Sequence, residues 1–414
     1  MPEALAGVRA GRIATIDRLR GIAVMGILLM NVVSFAMPSG AYFNPTAIGT
    51  PSAADLAIWA AAFVLVDGKM RALFSILFGA STLIVVTRAA RAGEDPARVH
   101  LSRMGVLAAF GTLHWLLLWP GDILLHYAII GTIALPFTTL TPRQQVKIAL
   151  MLLLGQAAAQ GWLLATDLSL HARAATGAPD AIASWRDFMT AVGVGAPADL
   201  AREVALHRGS YAPLLAAHLH DLAAGTPFLL VFNGPETLAY LLLGMAALAS
   251  GFLSGGWTRR RYARAATIAL GIGLPASTLL AVLAGRAQFE TIATFAAATL
   301  GGVPLRPLIA FGYAAALIPW LTGDGTFRRR LGAAGRCAFS NYLGTSLVMA
   351  AICDGWGLGL YGRLSRAEAY LLVPPGCAAM LLLSPAWLRH HHHGPLEWLW
   401  RSLARWHRGP FTQS

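Results

Sequence analysis

"GTLHWLLLWPGDILLHYAIIG" spans residues 111–131. Two apolar runs flank Pro120-Gly121, a pair that favours a tight turn. A helical hairpin in lipid explains the runs and the turn together, because in a bilayer the backbone satisfies its polar groups only within helices or closed barrels. The same stretch carries three titratable groups, His114, Asp122 and His126. Ionisable groups at membrane depth are costly and usually face a cavity or one another. This stretch therefore bears on both the fold class and the candidate site.

The composition of the whole chain agrees. Its 414 residues are 56% hydrophobic and only 12% charged, and its mean hydropathy is +0.59. A soluble domain carries about a quarter charged residues, so we expect an all-α fold, a polytopic transmembrane helix bundle. The formal net charge is +13, from 32 basic against 19 acidic residues. In a soluble protein that excess would suggest nucleic acid. Here the arginines cluster between apolar runs, as in cytoplasmic loops. The expected partner is the lipid bilayer with its anionic headgroups, and no nucleic acid. Cys337, Cys353 and Cys377 lie in or beside apolar runs and read as small hydrophobes, not as a disulfide framework. No clear small-x-small site follows the first apolar run, which is expected to stay as the first span.

At about 20 residues per crossing, ten candidate spans lie near 21–37, 70–87, 103–119, 122–140, 146–165, 228–252, 264–285, 305–322, 336–353 and 368–388. Arg9, Arg12, Arg18 and Arg20 precede the first. Arg88, Arg91, Arg98 and Arg103 follow the second, and Arg143 and Lys147 the fourth. Arg259 to Arg264, Arg328 to Arg330, and Arg389 follow the sixth, eighth and tenth. All fall on one side, which should be cytoplasmic, with both termini there. Residues 55–66 read as an interfacial helix ended by Asp67-Gly68-Lys69. Residues 287–302 read as a re-entrant or surface helix, and 166–225 as one external segment with short helices. The transmembrane domain is 1–388, and 389–414 is a cytoplasmic interfacial segment.

This topology draws polar groups towards one depth. His114 lies in the outer half of span three. Asp122 starts span four, with His126 expected one turn deeper on the same face. Lys69 and Arg71 start span two, and Asn31 lies in the outer half of span one. Glu236, after Asn233-Gly234-Pro235, starts the strongest part of span six. A His–carboxylate pair suits a general base, with His114 as base and Asp122 as its partner. Asp122 reads equally as a helix cap, and His126 as an interfacial histidine. Lys69, one of two lysines in the chain, could bind an anionic group or snorkel to the interface. Arg336, Asn341 and Tyr342 could line a pocket or cross-link helices.

The run His390–His393 does not suggest a metal site. Consecutive helical residues point in different directions, whereas metal sites prefer spaced ligands; a basic stretch at the inner lipid surface fits better. In "GPLEWLWRSLARW" (394–406), Trp398, Trp400 and Trp406 suit a headgroup interface. Glu397 and Arg401 are spaced as a helical pair. No P-loop, dinucleotide fingerprint, HExxH or GxSxG motif appears in a suitable context. No tightly bound cofactor is expected.

Five ordered blocks resemble the signature blocks of the YeiB-like family of bacterial inner-membrane proteins, a family described by a domain of unknown function (DUF418). They are "IDRLRGIAVMGILLMNV" (16–32), "GKMRALFSILFGAS" (68–81), "GTLHWLLLWPGDILLHYAIIG" (111–131), "GRCAFSNYLGTSL" (335–347) and "GPLEWLWRSL" (394–403). The resemblance implies a multi-pass protein of the bacterial inner membrane. The "LRGIA" start is also similar to that of the membrane acyltransferase superfamily, which includes O-acyltransferases acting on sugars and the lysosomal heparan N-acetyltransferase. That similarity implies transfer of an acyl group from acyl-CoA to an acceptor across the membrane. The histidine of the bacterial O-acyltransferases, eleven residues after the Arg of the RG pair, falls on Asn31 here. Residues 32–69 contain no histidine, so the catalytic role does not carry over by position. His114 is the membrane histidine best placed to take it. The fourth block has Thr345 where the family usually has Gln.

Three functions are open at this point. The first is an acyltransferase with acyl-CoA as co-substrate and an envelope carbohydrate or small exported molecule as acceptor. In it His114 is the base, Asp122 orients it, and Lys69 or Arg71 holds an anionic group. Arg18 and Arg20 would meet the phosphates of CoA. The second is a small-solute permease with the same polar residues as its site. The third is a non-catalytic structural membrane protein.

Overall fold

The computed structural model describes residues 13–405; Arg9, Arg12 and Trp406 lie outside them. Every regular element among the described residues is helical. The first hairpins start with α1 (Ala14–Ala36), α2 (Ala53–Leu65), α3 (Lys69–Arg91), α4 (Pro96–Leu117) and α5 (Leu124–Ala134). The long α6 (Pro142–Ala175) leads to α7 (Pro179–Ala191) and α8 (Pro197–Arg208), and α9 (Tyr211–Ala249) returns. Then follow α10 (Arg259–Arg286), α11 (Thr291–Ala298), α12 (Gly302–Leu321), α13 (Thr326–Arg336) and α14 (Ala338–Cys353). The chain ends with α15 (Arg366–Tyr370), α16 (Val373–Trp387) and α17 (Pro395–Arg405).

Local chemistry sets the boundaries. Ser52 and Asp55 form a capping box at the start of α2. Gly68, at φ +70°, breaks the chain between α2 and α3, a conformation that suits glycine. Thr141 and Gln144 form a second capping box, with Pro142 opening α6. Seven helices among the described residues are long and apolar enough to cross a membrane, and Leu124–Thr139 and Ala338–Cys353 are shorter apolar helices. Met151 and Leu154 of α6 are 70% and 71% exposed. Such outward apolar faces suit lipid, while Glu236, His114 and Lys69 are buried inside.

Helix α9 runs unbroken through Asn233-Gly234-Pro235, inside the span expected near 228–252, and through Pro227 as well. Proline removes one helical donor. Gln156 of α6 donates to Phe232 O at 2.7 Å, so α6 packs on this part of α9. The arginines at 328–330, expected in a loop, lie on α13. Its opposite face buries Leu331, Ala333 and Ala334, an amphipathic pattern suited to a bundle edge.

Close helix packing rests on small residues. A Cβ on Gly79 would meet the Leu241 backbone, and one on Gly244 the Ile76 backbone, so α3 and α9 touch main chain to main chain. Gly244→Val is expected to lower the thermal midpoint, with about 1–3 kcal/mol lost to overpacking. A melting curve matching wild type would refute this contact.

Glu397 of α17 turns towards α14. Its carboxylate accepts from Phe339 N (2.7 Å), Ser340 N (3.1 Å) and Ser340 Oγ (2.5 Å), capping α14. Trp400 Nε1 donates to Arg103 O at 2.9 Å, so α17 also holds the start of α4. Burial pushes the Glu397 carboxyl pKa up, outweighing the hydrogen bonds from Ser340 and Phe339. A raised folded pKa gives a contribution that is complete below the free carboxyl range, about 4.3, and is lost as pH rises through the folded value. Protection of α17 amides, corrected for intrinsic exchange, is therefore expected to fall as pH rises from about 4. Glu397→Gln should flatten that dependence, and a pH-independent wild type would contradict it.

Candidate functional site

The polar residues form two neighbouring clusters, not one. The first is made by α4, α14 and the turn before α5. His114 Nδ1 lies 2.8 Å from Asp122 Oδ1, and both side chains are fully buried. Asp122 Oδ2 also accepts from Leu125 N at 3.0 Å. The two readings of Asp122 therefore hold together, one oxygen for the imidazole and one for the helix start. His114 Nε2 is buried without a hydrogen-bond partner. The Tyr342 ring centroid is 5.3 Å from that of His114, and the Tyr342 hydroxyl is also buried, beside the Asp122 carboxylate. Gly111 leaves the room, since a Cβ there would press on Leu125 and Asp122 Oδ2.

His126 does not share the face of Asp122. Helix α5 begins only at Leu124, so Asp122 precedes the helical repeat and the expected spacing does not apply. His126 Nε2 lies 3.0 Å from Thr237 Oγ1, in the second cluster. Its centre is Glu236 of α9. Arg71 Nη2 approaches Glu236 Oε2 at 2.5 Å, and Arg306 Nη1 approaches Oε1 at 2.8 Å. Tyr240 donates its hydroxyl to Oε1 as well, and Arg306 also donates to Ala298 O. Tyr127 follows His126 in sequence, and its hydroxyl lies 2.8 Å from Ser75 Oγ.

The other candidates sit apart from these bonds. Lys69 Nζ donates to Phe63 O near the end of α2 and lies 3.3 Å from Ser277 Oγ. Here it serves the α2–α3 junction, where a cation also suits the helix dipole. Arg18 donates to Leu321 O and to Gly323 O (2.7 Å), closing the end of α12. Arg20 pairs with Asp17 at 3.1 Å and donates to Ser81 Oγ at 2.7 Å. Arg18 and Arg20 are thus bonded to the bundle itself. Arg336 donates to His392 O at 2.8 Å, and Asn341 donates to Ala334 O and Ser384 Oγ, both at 3.0 Å. These two residues link helices and the tetrahistidine segment. Asn31 is buried on α1 and hydrogen-bonds to neither cluster.

Sequence reasoning missed Arg306, Tyr240 and Thr237. Arg306 carried a signal: it is a lone arginine in an apolar run at the end away from the arginine clusters, where a charge needs a partner. A second histidine–carboxylate pair was also missed. His207 Nδ1 of α8 lies 2.9 Å from Asp354 Oδ1, and its ring stacks on Tyr361 at 3.9 Å. Tyr361 OH donates to Glu203 Oε1 at 2.7 Å. These bonds fix α8 to the 354–361 loop.

Comparison with known proteins places the whole chain. The family model "Protein of unknown function (DUF418)" matches residues 247–407. The chain is 30% identical over 415 residues to "Uncharacterized protein YeiB" of Escherichia coli (strain K12), covering 96% of this chain and 98% of that protein. It is 29% identical over 410 residues to "Uncharacterized protein YxaH" of Bacillus subtilis (strain 168), covering 94% of each. No solved structure matches the chain. The ordered blocks of the sequence, the apolar helical bundle and similarity running almost end to end show that the chain belongs to the YeiB-like DUF418 family.

Proposed function

We propose that the chain is a membrane-embedded acyltransferase of the bacterial inner membrane. It crosses about ten times with both termini cytoplasmic, and passes an acyl group from acyl-CoA to an envelope carbohydrate or small exported molecule. The topology is supported by contacts that join regions assigned to one side. Arg18 bonds the end of α12 and Trp400 bonds Arg103, all on the inner side, while His207 meets Asp354 on the outer side.

The buried His114–Asp122 pair carries the chemical reading. Asp122 holds the tautomer protonated at Nδ1, which leaves Nε2 as the basic nitrogen. Nε2 takes the proton of an acceptor hydroxyl or amine, and the acceptor atom attacks the thioester carbonyl. The tetrahedral intermediate collapses, the carbon–sulfur bond breaks, and the CoA thiolate takes the proton from His114. Tyr342 OH, buried beside the ring, is suited to donate to the developing oxyanion. A permease is favoured by a different observation, the charged Arg71–Glu236–Arg306 cluster buried in the bundle.

Acetyl-CoA titrated onto purified protein tests the reading, with free CoA followed over time. Saturable binding and slow CoA release are expected. No binding at millimolar acetyl-CoA would overturn acetyl transfer, and solute flux without CoA release would establish the permease.

A further inference from the structure

We propose that the groove between α13 and α16 binds the phosphate of an anionic phospholipid. The inference rests on the chain lying in a bilayer and is independent of acyl transfer. The groove holds about 340 Å³. One wall is apolar, formed by Leu382, Pro385 and Ala386 of α16; the rim carries Arg329, Arg330 and Arg389. Arg329 is already engaged, with Asp324 Oδ2 at 3.0 Å and Thr326 Oγ1 at 3.2 Å. Among the described residues, the guanidiniums of Arg330 and Arg389 have no hydrogen-bond or ion-pair partner, and no acidic residue lines the groove.

The groove thus offers two unspent guanidiniums above an apolar wall. It lies at the end of the bundle where Arg18 closes α12, at the level where α13 turns its arginines outward and its apolar face inward. A soluble phosphate would use the arginines and leave the wall idle. A phospholipid uses both, with its phosphate on Arg330 and Arg389 and the start of an acyl chain along Leu382. Basic pockets between membrane helices on the cytoplasmic side bind such headgroups.

Native mass spectrometry with phosphatidylglycerol and phosphatidylethanolamine tests this, using the whole chain. Wild type should retain one phosphatidylglycerol in preference to phosphatidylethanolamine. Arg330→Gln/Arg389→Gln should weaken it roughly 30-fold, at about a factor of five per arginine. Both side chains are exposed, so the fold should persist, and a monodisperse elution peak verifies this. Arg259→Gln removes an arginine outside the groove and should change little. The site is refuted if Arg259→Gln weakens binding as much per charge as the groove variants. It is also refuted if the two lipids bind alike, or if inorganic phosphate or CoA displaces phosphatidylglycerol.

Discussion

His114→Ala should lower CoA release by between about 100-fold and 10,000-fold, the usual worth of a positioned general base, while the bundle stays folded. Asp122→Asn is the sharper variant. Asparagine keeps an oxygen for Leu125 N, so the start of α5 stays capped. Its amide nitrogen then faces His114 Nδ1 and donates to it, which moves the ring proton to Nε2 and removes the base. The expected result is activity as low as in His114→Ala with near-wild-type melting. Asp122→Ala should lose activity and also about 0.5–2 kcal/mol of stability, because the cap goes too. If Asp122→Asn kept wild-type turnover, the pair would be a structural anchor only. CoA release and a melting curve, measured on the three variants, separate these outcomes.

Glu236→Gln is expected to have the largest effect on stability. Its carboxylate is the shared partner of Arg71 and Arg306, both within 3 Å. Removing one partner of a buried pair typically costs about 3–5 kcal/mol, because a charge is left uncompensated. Here two charges are left. Loss of a monodisperse species, or a large fall in thermal midpoint, should follow. Arg306→Met combined with Glu236→Gln should recover part of the loss, since the double variant leaves one buried cation in place of two. A single variant as stable as wild type would show that water reaches the cluster and solvates the arginines.

Much of the fold was legible because lipid imposes a simple rule on sequence. Each long apolar run became a helix, and the break at Gly68 followed from local conformation. His114 and Asp122 were readable as a pair because Pro120-Gly121 folds their two runs together over eight residues. Arg306 and Glu236 are 70 residues apart, and no local pattern announces their meeting; α3 brings them together by packing beside both α9 and α12. Pro235 shows the reverse case. Proline disfavours a helix interior, yet α9 continues through it. His126 was misplaced for a smaller reason, a helix starting two residues later than Asp122.

The Arg71–Glu236–Arg306 cluster also bears on leakage. A seam of hydroxyls, imidazoles and carboxylates through a bilayer is a hazard, because protons hop along such chains and dissipate the gradient that the membrane maintains. The cluster sets two guanidiniums, Arg71 and Arg306, on one carboxylate in the interior of the bundle. An arginine fixed along a polar path is an electrostatic barrier to protons and cations. The cluster that holds three helices together would then also act as an ionic plug, keeping the membrane tight around a polar interior.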